Sequence, residues 1–146
     1  MKFHHSVLQN DQSVASKKGP LVLPCTPGIF PISGVFDLTP IRVCPAVNTN
    51  ECLRISEQDV AENSPQLLGK GGRQVTFCPV IIAVGENDSE EFKRQSREFG
   101  RLLQDSKKVG VQVIEVPELD HFDIIETLRF ADTPLVETLK TFCWQE

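Results

Sequence analysis

The sequence predicts an α/β fold, a partial parallel sheet flanked by helices, and three neighbouring segments carry the prediction. Val75 to Val84 (VTFCPVIIAV) is a nearly continuous apolar run, so both faces of the strand it forms need cover, as in a parallel strand between helix layers. After it, Ser89 is placed to cap a helix with Glu90 and Glu91 in its first turn. Phe92, Phe99, Leu102 and Leu103 then fall at i, i+7, i+10 and i+11, on one stripe. The helix is expected to run to about Lys107, with Gly110 closing it. Val111 to Val116 (VQVIEV) is a second strand, stopped by Pro117. Strand, helix, strand in this order makes two parallel strands with a right-handed crossover, the unit of the α/β class.

The remaining elements follow in chain order. Residues 1–27 hold Gly19-Pro20, Pro24 and Pro27 and show no sustained period of two or 3.6, so a poorly ordered segment is expected. Ile29 to Phe36 is rich in β-branched and aromatic residues and reads as a buried strand, with Pro31 placing its start at an edge. Asp37 to Asn50, with Pro40 and Pro45, reads as a loop. Ser56-Glu57-Gln58-Asp59 has the form of a capping motif for a short helix to about Asn63, which Ser64-Pro65 breaks. Gly69 to Arg73 reads as a flexible loop; its glycines are wrongly spaced for a phosphate-binding loop and no hydroxyl follows Lys70. Asp123 to Phe130 is a short helix, and Thr133 caps a last one with Pro134 in its first turn. Only three convincing strands are legible, whereas an autonomous doubly wound sheet usually has about five or more.

Composition narrows the function. Hydrophobic residues make up 40% and charged residues 24% of the 146, an ordinary soluble globular balance. Fifteen basic residues face 20 acidic ones, a net charge of −5, which disfavours nucleic acid as a partner. No apolar run reaches the ~18 residues of a membrane helix. The five cysteines, Cys25, Cys44, Cys52, Cys78 and Cys143, are irregularly spaced and form no C-x-x-C, which fits free thiols in a reducing compartment. Residues 1–12 contain no apolar signal-peptide core, so the cytosol is the expected compartment, with the nucleus as a second. The three histidines form no metal-ligand pattern; His4 and His5 lie in the loose N-terminal segment. No metal and no cofactor are expected.

Ligands of an open parallel sheet bind outside the carboxyl ends of its strands. Two such ends are legible: Gly85-Glu86-Asn87-Asp88-Ser89 after one strand, and Pro117-Glu118-Leu119-Asp120-His121-Phe122-Asp123 after the other. Parallel strands put both loops on one rim and bring Asp88 and His121 close together. A carboxylate beside a histidine there can fix the imidazole tautomer and stabilise the imidazolium, leaving the other nitrogen to take a proton from a nucleophile. The alternatives are structural: His121 anchoring its own turn through Asp120 or Asp123, and Asp88 serving the helix dipole. Glu86 competes with Asp88 as the acid. Pattern alone leaves these open. A serine nucleophile in such a fold stands on a G-x-S-x-G elbow, and none of the 146 residues forms one. Ser33 precedes Gly34, but Pro31 occupies the place of the first glycine. No G-x-G-x-x-G follows a strand, which weakens a nucleotide-binding reading.

The segments ISGVFDLTPI (32–41), AENSPQLL (61–68), IIAVGENDSEEFKRQSREFGRLL (81–103) and ELDHFDIIETL (118–128) together resemble the C-terminal part of the arylformamidases, or kynurenine formamidases, over about residues 28–146. The resemblance implies an α/β-hydrolase fold, hydrolysis of N-formyl-L-kynurenine to L-kynurenine and formate in tryptophan catabolism, and a Ser-Asp-His triad. Asp88 matches the triad acid and His121 the triad base. The family's HGG oxyanion segment and GHSAG elbow have no counterpart here, and residues 1–27 do not resemble that region. The chain is therefore expected to be a shortened or alternatively started product that lacks the nucleophile and is inactive alone. Two alternatives stand beside this: a non-catalytic truncated chain acting as an interaction partner, and a fragment of a broader carboxylesterase. Oligomeric state is not legible.

Overall fold

The computed structural model describes residues 28–73, 76, 78–106, 110–130 and 132–143; the expectations for residues 1–27, including His4 and His5, lie outside these. The fold is α/β. Its centre is a two-stranded parallel sheet of β1 (Val80–Gly85) and β2 (Val111–Val116), registered from Val80 opposite Val111 to Gly85 opposite Val116. Every residue of β1 is buried, as its unbroken apolar sequence requires. The strand begins at Val80, so the apolar run from residue 75 is longer than the strand it contains.

On the other side of β1 lies the segment expected to be a strand over Ile29–Phe36. It forms no regular strand. Instead Ile29 and Ile32 make isolated parallel bridges to Val80 and Ala83. The backbone bonds show why. Ile29 N–H donates to Pro79 O, Ile81 N–H to Ile29 O, Ala83 N–H to Pro31 O and Ser33 N–H to Ala83 O. This is a parallel ladder with one rung missing, the rung Pro31 would donate if it had an N–H. Ser33 then takes a left-handed backbone (φ 44°) and ends the pairing.

The chain next forms α1 (Thr39–Val43), where a loop was expected; Pro40 is harmless in a first turn, and Asp37 Oδ1 accepts from Thr39 N–H at 2.8 Å. A one-turn 3-10 helix, Thr49–Glu51, follows. The capping motif at Ser56 forms in full: Ser56 Oγ accepts from Asp59 N–H, and Asp59 Oδ2 from Ser56 N–H, opening α2 (Glu57–Asn63). Ser64-Pro65 breaks α2 as expected, but Pro65 also starts α3 (Pro65–Lys70), which takes in the first part of the expected Gly69–Arg73 loop. The crossover helix is α4 (Glu90–Asp105); its C-cap is Ser106, earlier than Gly110. The short helix after β2 is α5 (Asp123–Glu126) continued by a 3-10 turn, Thr127–Arg129. The last is α6 (Pro134–Cys143), with Thr133 Oγ1 accepting from Val136 N–H.

The sheet divides the core in two. Val80 and Ile82 pack with Phe36, Phe99 and Leu103 on the α4 side, where the Phe36 and Phe99 rings stack at 4.4 Å. Ala83 and Val116 pack with Ile124 and Leu135 from α5 and α6 on the other. Helices thus cover both faces, the layering the sequence predicted.

The buried face of α4 is not wholly apolar. Gln95, 2% exposed, uses Oε1 to accept from Phe36 N–H and Asp37 N–H, both at 2.8 Å, and Nε2 to donate to Asp37 O and Glu91 Oε1. It pins the chain leaving the edge segment to the helix. Gln95→Leu keeps the volume but strands two backbone donors, so unfolding in urea should show a loss of about 2–3 kcal/mol; a change within measurement error would remove Gln95 as that pin.

Candidate active site

The shared register of β1 and β2 fixes where their exit loops start. Glu86 N–H donates to Val116 O, and Asn87 N–H to Leu119 O, both at 2.9 Å. Asn87 Nδ2 donates to Glu118 O, and Glu118 N–H to Glu86 Oε2. The two loops are therefore laced together. Gly85 permits it: a Cβ there would stand 2.4 Å from Leu119 O and 3.0 Å from Asp120 O, and neither backbone oxygen can move aside cheaply.

The two candidate residues meet on this rim. His121 Nδ1 lies 3.1 Å from Asp88 Oδ2. A carboxylate can only accept, so Nδ1 carries the proton and donates, leaving the lone pair on Nε2. The Asp88 side chain is 1% exposed, the His121 side chain 39%. Asp88 is further held by Ser89 N–H, which donates to Oδ1 at 2.7 Å, at the start of α4 where the helix dipole favours an anion. A sequestered acid orienting a half-open imidazole is the arrangement of an acid–base couple.

Glu86, the competing acid, is spent on the Glu118 amide and does not reach the histidine. The alternative in which His121 anchors its own turn through Asp120 or Asp123 is not what forms: Asp120 Oδ1 accepts instead from Phe122 N–H and Asp123 N–H at 2.8 Å each. Those two bonds hold the Asp120 carboxyl below the ordinary aspartate value of 3.8.

Two aromatic residues complete the surroundings of His121. Phe92 packs on the imidazole with centroids 4.4 Å apart, and Phe122 meets it edge-on at 5.4 Å while remaining 71% exposed. The sequence pattern assigned Phe92 to the core stripe of α4. It stands in the first turn of that helix, just after the loop bearing Asp88, so its position one turn from Ser89 was the available signal. Ser33 does not complete the couple. Its Oγ is buried and has no hydrogen-bond partner among the described residues, and the polar side-chain contact of His121 is with Asp88.

Among the described residues no group of three or more His, Cys, Asp or Glu could hold a metal ion, and Cys44, Cys52, Cys78 and Cys143 are free thiols. No helix among them is long and apolar enough to cross a membrane.

With Asp88 and His121 joined, similarity to known proteins gains meaning. The chain is 36% identical over 119 residues to the kynurenine formamidase of Salmo salar, across 81% of this chain and 40% of the salmon protein. It is 38% identical over 108 residues to that of Danio rerio, across 73% and 36% respectively. The chain is a relative of the kynurenine formamidases. The resemblance read from residues 32–128 is thus borne out, while the chain spans less than half the length of either relative. No protein-family model matches it.

Two predictions follow from the laced rim. Gly85→Ala should cost about 1–3 kcal/mol and, by pushing out Leu119 and Asp120, move the side-chain resonances of His121; an unshifted His121 spectrum would show that the loops do not depend on that close approach. The Asp120 bonds should also respond to acid. Since its folded pKa lies below its unfolded one, their contribution is present above the ordinary aspartate range and is lost as pH falls through the folded value. The Phe122 and Asp123 amide shifts should then titrate together with a midpoint below 3.8, and a midpoint above it would contradict the two bonds.

Proposed function

We propose that Asp88 and His121 are the acid and base of a Ser-Asp-His triad that hydrolyses N-formyl-L-kynurenine to L-kynurenine and formate, as the names of the relatives suggest. The observation that carries this reading is the 3.1 Å contact between the buried carboxylate and the half-exposed imidazole. In the reaction, Nε2 of His121 takes the proton of a serine hydroxyl as that oxygen attacks the formyl carbon. The resulting imidazolium is stabilised by Asp88 through Nδ1. His121 then returns the proton to the aniline nitrogen as the C–N bond breaks, and formyl-serine is left for water to hydrolyse by the same route. Asp88 keeps the ring in the tautomer both steps need.

The serine is absent from a G-x-S-x-G context anywhere in these 146 residues, and no oxyanion loop of the HGG type occurs. Losing a triad nucleophile lowers kcat on the order of a million-fold. The chain by itself is accordingly read as inactive, its place of action the cytosol. Ester hydrolysis would use the same couple, and a carboxylesterase reading differs only in the acyl group and the leaving group, an alcohol in place of an amine.

The experiment is a chimera in which this chain's matched residues replace the matched 119 of the salmon protein. It should hydrolyse N-formyl-L-kynurenine. Asp88→Asn should lower kcat by about 10⁴-fold, and His121→Ala by on the order of 10⁶-fold, while the 146-residue chain alone turns over nothing above background. Full activity in a chimera carrying His121→Ala would sink the assignment.

A further inference from the structure

A second polar site lies on the stretch that follows the edge segment. The chain leaving the edge segment is bonded at Asp37 to Gln95, in the second turn of α4, and α4 starts directly after Asp88. From there α1 leads into the loop 44–56, and this stretch lines an open-mouthed cavity of about 670 Å³. Arg42, Asn48, Glu51 and Arg54 line it, together with the apolar Val43 and Ile55.

Three features distinguish this cavity from a surface dent. Its wall is rigid where it could be loose: buried Asn48 donates from Nδ2 to Arg42 O and accepts at Oδ1 from Leu53 N–H, both at 2.9 Å, closing the loop on itself. Asn50, Glu51 and Arg54 all hold left-handed backbone, with φ of 51°, 56° and 49°. For Glu and Arg that conformation is costly, and such costs collect at binding sites. Finally, the unlike charges of Glu51 and Arg54 face one cavity without neutralising each other. Neither side chain has an ion-pair partner among the described residues, whereas Arg42 is tied to Ile55 O and loosely, at 3.6 Å, to the 86%-exposed Glu57.

We propose that this cavity binds the head group of a free α-amino acid, its carboxylate on the Arg54 and Arg42 guanidiniums and its ammonium on Glu51. A simple anion would meet the Glu51 carboxylate unopposed, and a simple cation would meet two guanidiniums. A zwitterion satisfies both, and Val43 and Ile55 accept the apolar part of the molecule. Arg54 offers a planar fork suited to a carboxylate, and the weak Glu57 contact on Arg42 is readily displaced. This deepens the proposed function and rests on it for the site's role in catalysis: the cavity would anchor the amino-acid end of a substrate whose acyl end lies at His121.

The test is titration of the isotope-labelled full chain with L-kynurenine, L-kynurenine methyl ester and sodium acetate, followed by amide chemical shifts. L-Kynurenine should move Asn50, Glu51 and Arg54 first. The ester and the Arg54→Gln variant should each weaken the apparent Kd at least tenfold, Arg54→Lys should restore part of it, and Arg101→Gln on the exposed side of α4 should change nothing. No shift in the loop, equal affinity for acetate, or indifference to Arg54→Gln would each overturn the inference. Intact L-kynurenine binding beside a His121-independent chimera would fail the triad reading alone. A His121-dependent chimera with no loop binding would fail this inference alone.

Discussion

The molecule depends on the parallel pairing of β1 with β2. Because Gly85 stands opposite Val116, both strands end at one level, and whatever follows them is delivered to one rim. An antiparallel pairing would send residues 86–89 and 117–123 to opposite ends, and a shift of register would separate them by several ångströms. Once the ends coincide, backbone bonds between the loops become possible, from Glu86 to Val116 and from Asn87 to Leu119. The side-chain contact between Asp88 and His121 is the last link of that sequence. It joins loops that backbone bonds already hold in place, the second of them turning through left-handed backbone at Glu118 (φ 65°).

What could be read from the sequence follows from which forces have a local signature. Hydrophobic period and caps do: β1, α2, α4, β2 and α6 all occur where alternation, apolar runs and capping residues placed them. The pairing of Asp88 with His121 was legible for the same reason, since it needs only the parallel arrangement and the two strand ends. Interactions across the chain leave no such trace. Ile29–Phe36 has strand composition, yet one missing N–H at Pro31 divides the pairing into two bridges. The α1 helix falls in a stretch whose prolines suggest a loop, and forms because Pro40 sits in the first turn. Glu86 and Asp88 could not be ranked as the acid from spacing, because the choice depends on Glu118 N–H, 32 residues from Glu86.

Buried polar groups are the other part the sequence hides. Gln95 falls on the buried side of α4, where an apolar residue would be expected, and Gln66 is fully buried in α3. Gln95 sits where the chain needs both donors and an acceptor, whereas Gln66 serves as a donor, its Oε1 having no hydrogen-bond partner among the described residues. Gln95 receives two amides of the exiting strand segment, Gln66 Nε2 donates to Glu98 on α4, and Ser64 Oγ receives Leu38 N–H. The crossover from the edge segment to β1 is irregular, with short helices and turns, so its backbone cannot satisfy itself as a long helix would. Ser64, which precedes α3, and Gln95 on α4 do that work for Phe36, Asp37 and Leu38, the residues that lead into α1.

The edge segment bears on where a nucleophile could stand. Residues 29, 31 and 33 spend their backbone groups on β1, so Phe30 and Ile32 turn theirs outward, and these have no backbone partner among the described residues. Such an edge is a template for another strand. A strand laid parallel along it would end, as the others do, at the carboxyl rim, where Ser33, Asp88 and His121 lie at or just past the ends of their own segments. On the proposed reading, that is where a serine would have to be delivered, because Nε2 of His121 is the one ring nitrogen left to receive its proton and Asp88 already holds the other. On that reading, an acid–base couple can stand without a nucleophile beside it: the Asp88–His121 contact is built by the loops after β1 and β2, and the bonds that lace those loops come from β1, β2 and the loops themselves.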